Sequence, residues 1–335
     1  MSRFKQQLLI SALGLGALAT PAIAGSERLI YDPDNPYFLS DIDPAAADPN
    51  ENVVLRGSIG VASIEALEKV YAFTAGTDLL SLLIWQSTAP IASGDVKIRL
   101  FDNWTLRGRI DAAISGDSIV TDYDWDGFAP SHASGDWSQR SISPNTNLDW
   151  YLNGEVALGR DLPINEALTI NVNGGLRYTD VEWTATGGSF IYSDLAFRDW
   201  VGTLPDIPGL RYRQQLPTVF TGIDANVNDG PWSLEAGAKA GLTFMAIDTD
   251  HHYLRNLIFT DQLSYAQVYT ANAKLGYSFS EHLGVFLEAD YEKMISGRGA
   301  EDEYNTATGV TRHFDDAIGG ELQLIAFKAG LKGNF

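Results

Sequence analysis

From Val53 to the C-terminus, apolar and polar residues alternate with period two. In the stretch LGVFLEADYEKM, Leu283, Val285, Leu287, Ala289 and Tyr291 share one side, and Glu288, Asp290 and Glu292 share the other. In LTINVNGGLRY, Leu168, Ile170, Val172 and Leu176 alternate with Thr169, Asn171 and Asn173. Successive side chains of a strand point to opposite faces, so each run predicts a β-strand with one apolar and one polar face. Two architectures satisfy such runs. In a β-sandwich the apolar faces meet in a shared core; in a membrane barrel they meet lipid.

The connections favour the barrel. Short turns at Asp102-Asn103, Asp161–Asn165, Asn226–Pro231 and Ser280–His282 alternate with longer polar links at Gly127–Asn147, Ser193–Gly209, Tyr253–Gln262 and Gly297–Ala317. Short turns on one side and long loops on the other is the outer-membrane pattern. Trp104 and Trp232 stand beside short turns, and Trp150 and Trp183 nearer the long links, as two interfacial girdles would. The last run alternates Ile325, Phe327, Ala329 and Leu331 and ends on Phe335. Counting runs gives about ten strands, an even number as bacterial barrels have. The expected fold is therefore all-β, a ten-stranded antiparallel transmembrane β-barrel over residues 53–335 that extends above the outer membrane. Closure leaves no unpaired backbone in lipid. Both chain ends then lie on the periplasmic side, and odd-numbered strands rise to the cell surface.

The N-terminus fits export. Arg3 and Lys5 precede the apolar stretch Leu8–Thr20, and Ala22-Ile23-Ala24 supplies a small-x-small cleavage site. Residues 1–24 read as a signal peptide, and residues 25–52, with their Asp-Pro and Asn-Pro pairs, as an extended leader. The chain has no cysteine, so disulfides and thiolate metal sites are excluded. Its 43 acidic against 23 basic residues give a formal charge of -20. Nucleic acid is a poor partner for such a chain, and a cationic substrate a good one. A monomer is expected.

Two acid runs break the strand pattern. TDYDWD carries Asp122 and Asp124, and IDTDHHY carries Asp248, Asp250 and His252, in both cases on every second residue. A lone Asp-x-Asp is usually a solvated loop. On the strand count both runs end rising strands, Trp104–Trp125 and Trp232–His252, so both arrive at the extracellular rim. A carboxylate beside an imidazole fixes its tautomer and stabilises the imidazolium. Two close carboxylates tend to share a proton. Together they suit a water activated by His252 as general base, and hence peptide hydrolysis. The other histidines fit less well: His282 lies at a periplasmic turn, His132 and His313 lie in loops without alternating acids, and His251 points to the opposite side.

These strings resemble the omptin family of outer-membrane aspartyl-type proteases. The resemblance spans Leu67 to Phe335 and rests on DYDW at Asp122–Trp125, TATGGSFIYS at Thr184–Ser193, FRD at Phe197–Asp199, DTDHHY at Asp248–Tyr253 and the closing AGLKGNF. It implies a surface-exposed endopeptidase that cuts at basic residues, arginine, lysine and dibasic sites. The implied catalytic residues are Asp122 and Asp124 facing an Asp250–His252 dyad, with an activated water as nucleophile and no metal. Glu68 and Asp248 match the acids that hold the basic side chain before the scissile bond. Ser141 matches a residue of supporting role. Gln139 replaces an acid that some relatives carry near the cleft, which leaves the leaving-side preference open. No cofactor is implied beyond lipopolysaccharide, which omptins bind as an activator through basic and aromatic residues on the outer wall. Around Leu176–Asp180 and Tyr212–Gln215 that basic set does not align.

Two other functions fit the same fold: a non-catalytic adhesin with an acidic mouth, and a passive pore. His252 argues against the first. Inward-facing Arg107, Arg109, Asp111, Glu288, Asp290 and Glu292 would fill a narrow lumen and argue against the second. One difficulty remains in the protease reading. Trp232, Leu234, Ala236, Leu242 and Phe244 share parity with Asp248, Asp250 and His252, and Trp104, Leu106, Ile110 and Ile114 with Asp122 and Asp124. If the former face lipid, so do the latter, unless a bulge of one residue reverses the facing. A bulge or marked coiling above the lipid band is therefore predicted in both strands, with Ser115–Asp117 a candidate in the first.

Overall fold

A computed structural model describes residues 53–71, 79–295 and 297–335. The signal segment and leader expected over residues 1–52 lie outside them. The described residues form twelve strand segments: β1 (Val53–Tyr71), β2 (Leu79–Arg99), β3 (Trp104–Ala113), β4 (Asp117–Asp124), β5 (Gln139–Pro163), β6 (Leu168–Tyr192), β7 (Trp200–Asp229), β8 (Trp232–His252), β9 (Leu257–Ser278), β10 (Leu283–Ile295), β11 (Arg298–Asn305) and β12 (Val310–Asn334). β3 and β4 are two halves of one rising stave, since both pair with β2 and with β5. β10 and β11 are likewise halves of one stave between β9 and β12. All pairings are antiparallel, and β1 pairs with both β2 and β12, so ten staves close into a barrel. Val53 and Phe335 exchange backbone hydrogen bonds of 2.9 and 2.8 Å at the closing seam.

The outer wall carries an apolar belt that includes Ile59, Val61, Ile110, Val156, Leu176, Ile223, Leu287, Phe327 and Leu331, all exposed. The inner face at that level is ionic. Arg107 meets Glu235 at 2.5 Å, and Arg56 meets Glu235 at 2.9 Å and Asp95 at 2.7 Å. Arg109 meets Asp111, Glu288 and Asp290 at 2.9, 2.9 and 3.0 Å. Lys328 adds contacts to Asp290 and Asp111, and Arg177 pairs with Glu292. The inward charges read from the sequence therefore fill the lumen rather than line a channel.

Above this network lies an aromatic layer of Trp85, Trp183 and Tyr212, all fully buried. Tyr212 stacks on Trp85 at 5.6 Å and on Trp183 at 6.3 Å between ring centroids, and Trp183 Nε1 donates to Ser87 Oγ at 2.7 Å. Trp183 thus belongs to the interior and not to an interfacial girdle. It shares odd parity with inward Thr179 and Val181 on β6, which strand-end position alone does not reveal.

The long polar links are shorter than the sequence predicts, because strands continue into them. β5, β7 and β9 begin at Gln139, Trp200 and Leu257, and a β11–β12 hairpin fills most of Gly297–Ala317. Above the lipid both faces of a strand meet water or polar neighbours, so the apolar alternation that marks a membrane strand is absent there.

Candidate active site

The predicted reversals of facing are present in both rising staves. On β3, Thr105, Asp111 and Ala113 face inward; on β4, Ser118 and Val120 do. Parity switches across Ile114–Gly116, where Ser115 adopts φ 63° and β2 spans the gap with one residue fewer. On β8, Glu235 and Thr243 face inward below, and Ala246, Asp248 and Asp250 above, with Met245 at φ 57° between them. β9 switches at the same level, from Ala266 to Leu263, so β8 and β9 keep their register across the kink. β7 does not switch, and its register against β8 slips by one between Gln215 and Thr218. An extra residue in an antiparallel pair does this. Non-glycine residues in the left-handed region are uncommon, and these two sit where the fold turns acids from lipid to lumen.

The turned acids converge. β4 and β8 lie on facing walls, separated in the ring by β5, β6 and β7. Asp122, Asp124 and His252 line one cleft of about 610 Å³, with Ser141, Tyr192 and Arg255. Its wall at Gly187, with Gly188 beside it, explains the TATGGSF string. Both glycines have positive φ, and a Cβ on Gly188 would lie 2.3 Å from the Ile142 carbonyl oxygen. There β6 bends and slips against β7, and Ser143 Oγ donates to the Gly187 carbonyl at 2.7 Å.

His252 Nε2 pairs with Asp250 Oδ2, and the ring sits edge-on to Phe259 at 5.1 Å. Asp250 is 1% exposed. Arg255, which lines the same cleft as His252, places Nη1 3.4 Å from the other ring nitrogen, Nδ1. Ser81 Oγ donates to Asp122 Oδ1 at 3.5 Å. Burial, then the Asp124 and Asp250 charges, hold the Asp122 carboxyl well above its ordinary range. Burial raises Asp124 as well, against the hydroxyl of Ser81 and the positive charge of Arg255. Two carboxyls so placed disfavour joint ionisation.

Glu68 and Asp248 sit deeper than the dyad. Glu68 faces inward near the top of β1, as its even parity predicts, and is buried. Its register partner on β12 is Gly320, where a Cβ would lie 2.6 Å from Asp248 Oδ2 and 3.1 Å from Gln214 Nε2. The glycine leaves the space into which Asp248 and Gln214 reach. Tyr212 donates to Asp248 Oδ2 at 2.9 Å, and Gln214 Nε2 donates to the same oxygen at 3.3 Å. Burial pushes the Asp248 carboxyl up to about 7. Burial, then Asp250, Asp261 and Asp248, raise Glu68 well above its ordinary range.

The remaining candidates fall elsewhere. Ser141 stands opposite Asp122 on β5, and Gln139, opposite Asp124, donates to Asp126. His251 is opposite Arg211 on the outer face, and His313 is exposed between Asp302 and Asp315. His132 Nδ1 contacts the Leu79 carbonyl at 2.9 Å. On the outer wall, Arg211 pairs with Glu182 at 2.7 Å and Arg213 with Asp180 at 2.6 Å, so both guanidiniums there are engaged by acids. The sequence reading missed Arg255, Gln214, Asp261 and Glu301. Arg255 reaches the cleft from the turn after β8, and Gln214, Asp261 and Glu301 are brought beside Asp248 only by strand register.

Known proteins share this architecture. The chain is 26% identical over 293 residues to the plasminogen activator of Yersinia pestis, covering 85% of this chain and 90% of the relative. It is 23% identical over 330 residues to protease 7 of Escherichia coli O157:H7, covering 95% and 96%. It is 24% identical over 328 residues to the outer membrane protease IcsP of Shigella flexneri, covering 94% and 96%. The crystal structure of the outer membrane protease OmpT from Escherichia coli superposes with a TM-score of 0.79 at 21% identity, covering 87% of this chain and 99% of that one. The Omptin family model matches residues 49–335, and the chain belongs to this family of outer-membrane proteases.

Proposed function

We propose that this omptin is a surface endopeptidase that cuts after basic residues, with a water activated by His252 and Asp250 as the nucleophile. The observation that carries the reading is the opening of the Asp250–His252 dyad onto the same cleft as Asp122 and Asp124. Asp250 accepts from Nε2–H, which leaves Nδ1 as the lone-pair nitrogen facing the cleft. A water between Nδ1 and the acid pair gives its proton to Nδ1 as its oxygen attacks the peptide carbonyl. Asp250 stabilises the resulting imidazolium. A protonated carboxyl of the Asp122–Asp124 pair donates to the carbonyl oxygen as it gains charge. The imidazolium then delivers its proton to the leaving amine, and the C–N bond breaks. Arg255 shares the cleft with His252, so substrate entry moves its side chain aside.

Glu68 and Asp248, below the dyad, hold the side chain before the scissile bond. Carboxylates at the base of a cleft suit the planar donor fork of a guanidinium better than a compact ammonium. Arginine is therefore preferred to lysine, and both to neutral residues. The direct test is a fluorogenic peptide containing Arg-Arg, incubated with the refolded full-length protein with and without lipopolysaccharide. Cleavage adjacent to arginine is expected. Tight binding of the peptide without cleavage in both arms would favour the adhesin instead. Enhancement by lipopolysaccharide would assign it the activator role, through a surface other than free outer-wall arginines.

A further inference from the structure

Below the dyad the fold groups more buried acids than the proposed mechanism uses. Strand register sets one inward-facing row across four neighbours: Gln214 on β7 opposite Asp248 on β8, Asp248 opposite Asp261 on β9, and Asp261 opposite Glu301 on β11. Neighbouring strands lie about 4.8 Å apart, so three carboxylates follow one another at that spacing. Glu68 faces the same row from β1. Asp261 is 3% exposed. Glu68 Oε2, Asp248 Oδ1 and Asp261 Oδ1 are buried without a hydrogen-bond partner among the described residues. So is Gln214 Oε1, a neutral acceptor on a fully buried side chain. Buried polar atoms are nearly always satisfied, so an unpartnered neutral oxygen and three unpartnered acid oxygens grouped by strand register point to a donor that arrives from outside.

We propose that Asp261 is a third carboxylate of the pocket for the basic side chain, and that the arriving cation displaces a proton held by the acid row. This rests on the reading of the protein as a protease selective for basic residues. The exchange balances: an N–H of the guanidinium donates to a carboxylate, and the proton formerly on that carboxyl leaves for solvent. Four buried carboxyls facing one another cannot all ionise in an empty pocket. Burial, then Asp248 and Glu301, push Asp261 well above its ordinary range, and burial with Glu303 pushes Glu301 up to about 7. The groups facing the row are Glu68 from β1, Asp122 from β4, Tyr212 from β7, Asp250 and His252 from β8, and Glu303 from β11; β12 contributes Gly320. At low pH the row keeps its protons and disfavours exchange; as pH rises through about 7, where Asp248 and Glu301 lose theirs, the row receives the cation more readily.

The test compares two peptides that differ only in arginine or citrulline before the scissile bond, across about pH 5 to 9. For the wild type, the ratio of their specificity constants is expected to fall as pH drops through about 7. Asp261→Asn is expected to lower the ratio at high pH by about tenfold or more, the scale of one lost charge-assisted hydrogen bond. The loss should fall on KM more than on kcat. The remaining acids then ionise more readily, so the midpoint of the fall should move to lower pH, a shift that a merely structural role would not produce. Asp261→Ser serves if the asparagine variant does not refold, and Asp261→Glu should restore the ratio. An unchanged ratio and midpoint in Asp261→Asn, beside a wild type that prefers arginine, would overturn this inference alone. A wild type indifferent to arginine would overturn the basic-pocket reading with it.

Discussion

His252→Ala and Asp250→Ala are each expected to lower turnover of an arginine-containing peptide by about three orders of magnitude, within the range that general-base catalysis contributes. In the proposed mechanism His252 supplies the nitrogen that accepts the proton, and among the described residues no second imidazole lines the cleft: His251 faces outward, and His132 and His313 are exposed on loops and hairpins. Asp250 holds the ring by its other nitrogen. Its loss frees the imidazole to rotate and leaves the imidazolium unsupported. Both variants should still fold, because the dyad stands above the ionic lumen and the apolar belt that hold the barrel together. Single-turnover kinetics on the refolded variants, with circular dichroism to check the barrel, reads the effect. Near-normal turnover by His252→Ala would sink the mechanism.

The acid pair should matter almost as much. Asp122→Asn and Asp124→Asn are each expected to cost about 10²–10³ in kcat, comparable to removing one preorganised donor from an oxyanion site. An amide keeps the shape but cannot share a proton with its neighbour. Burial raises both carboxyls, and the Asp124 charge raises Asp122 further; in the proposed mechanism a proton held by the pair is the one offered to the carbonyl oxygen. Groups that act as a unit are non-additive, so the double variant should fall little further than the worse single one. Strictly multiplicative losses would show that the two aspartates act independently, against a shared proton.

Much of this site was legible in the sequence because period two carries the facing of every strand residue. The conflict between lipid-facing Phe244 and site-facing Asp248 implies a reversal in β8, and Met245 is where it occurs. Glu68 shares the even, inward parity of Arg56 and Ser58 on β1. The missed residues share one physical cause. Asp261 and Glu301 stand on extensions above the lipid, where neither face is apolar and alternation carries no signal. Their meaning comes from cross-strand register, which depends on bulges and turn lengths rather than on local pattern. Trp183 was misplaced for a related reason: an aromatic near a strand end is equally compatible with a membrane interface and with an interior floor.

The central claim is that a deep acidic pocket selects the bond that the dyad hydrolyses. The most direct measurement is mass-spectrometric mapping of the bonds cut in a mixed peptide library by the wild type and by the Glu68→Gln, Asp248→Asn double variant. The variant removes two pocket charges while leaving Asp122, Asp124, Asp250 and His252 in place. The account predicts arginine, then lysine, before the bonds cut by the wild type, and loss of that preference in the variant beyond any loss of overall rate. An arginine preference that persists unchanged in the double variant, or wild-type cuts made without regard to basic residues, would contradict it.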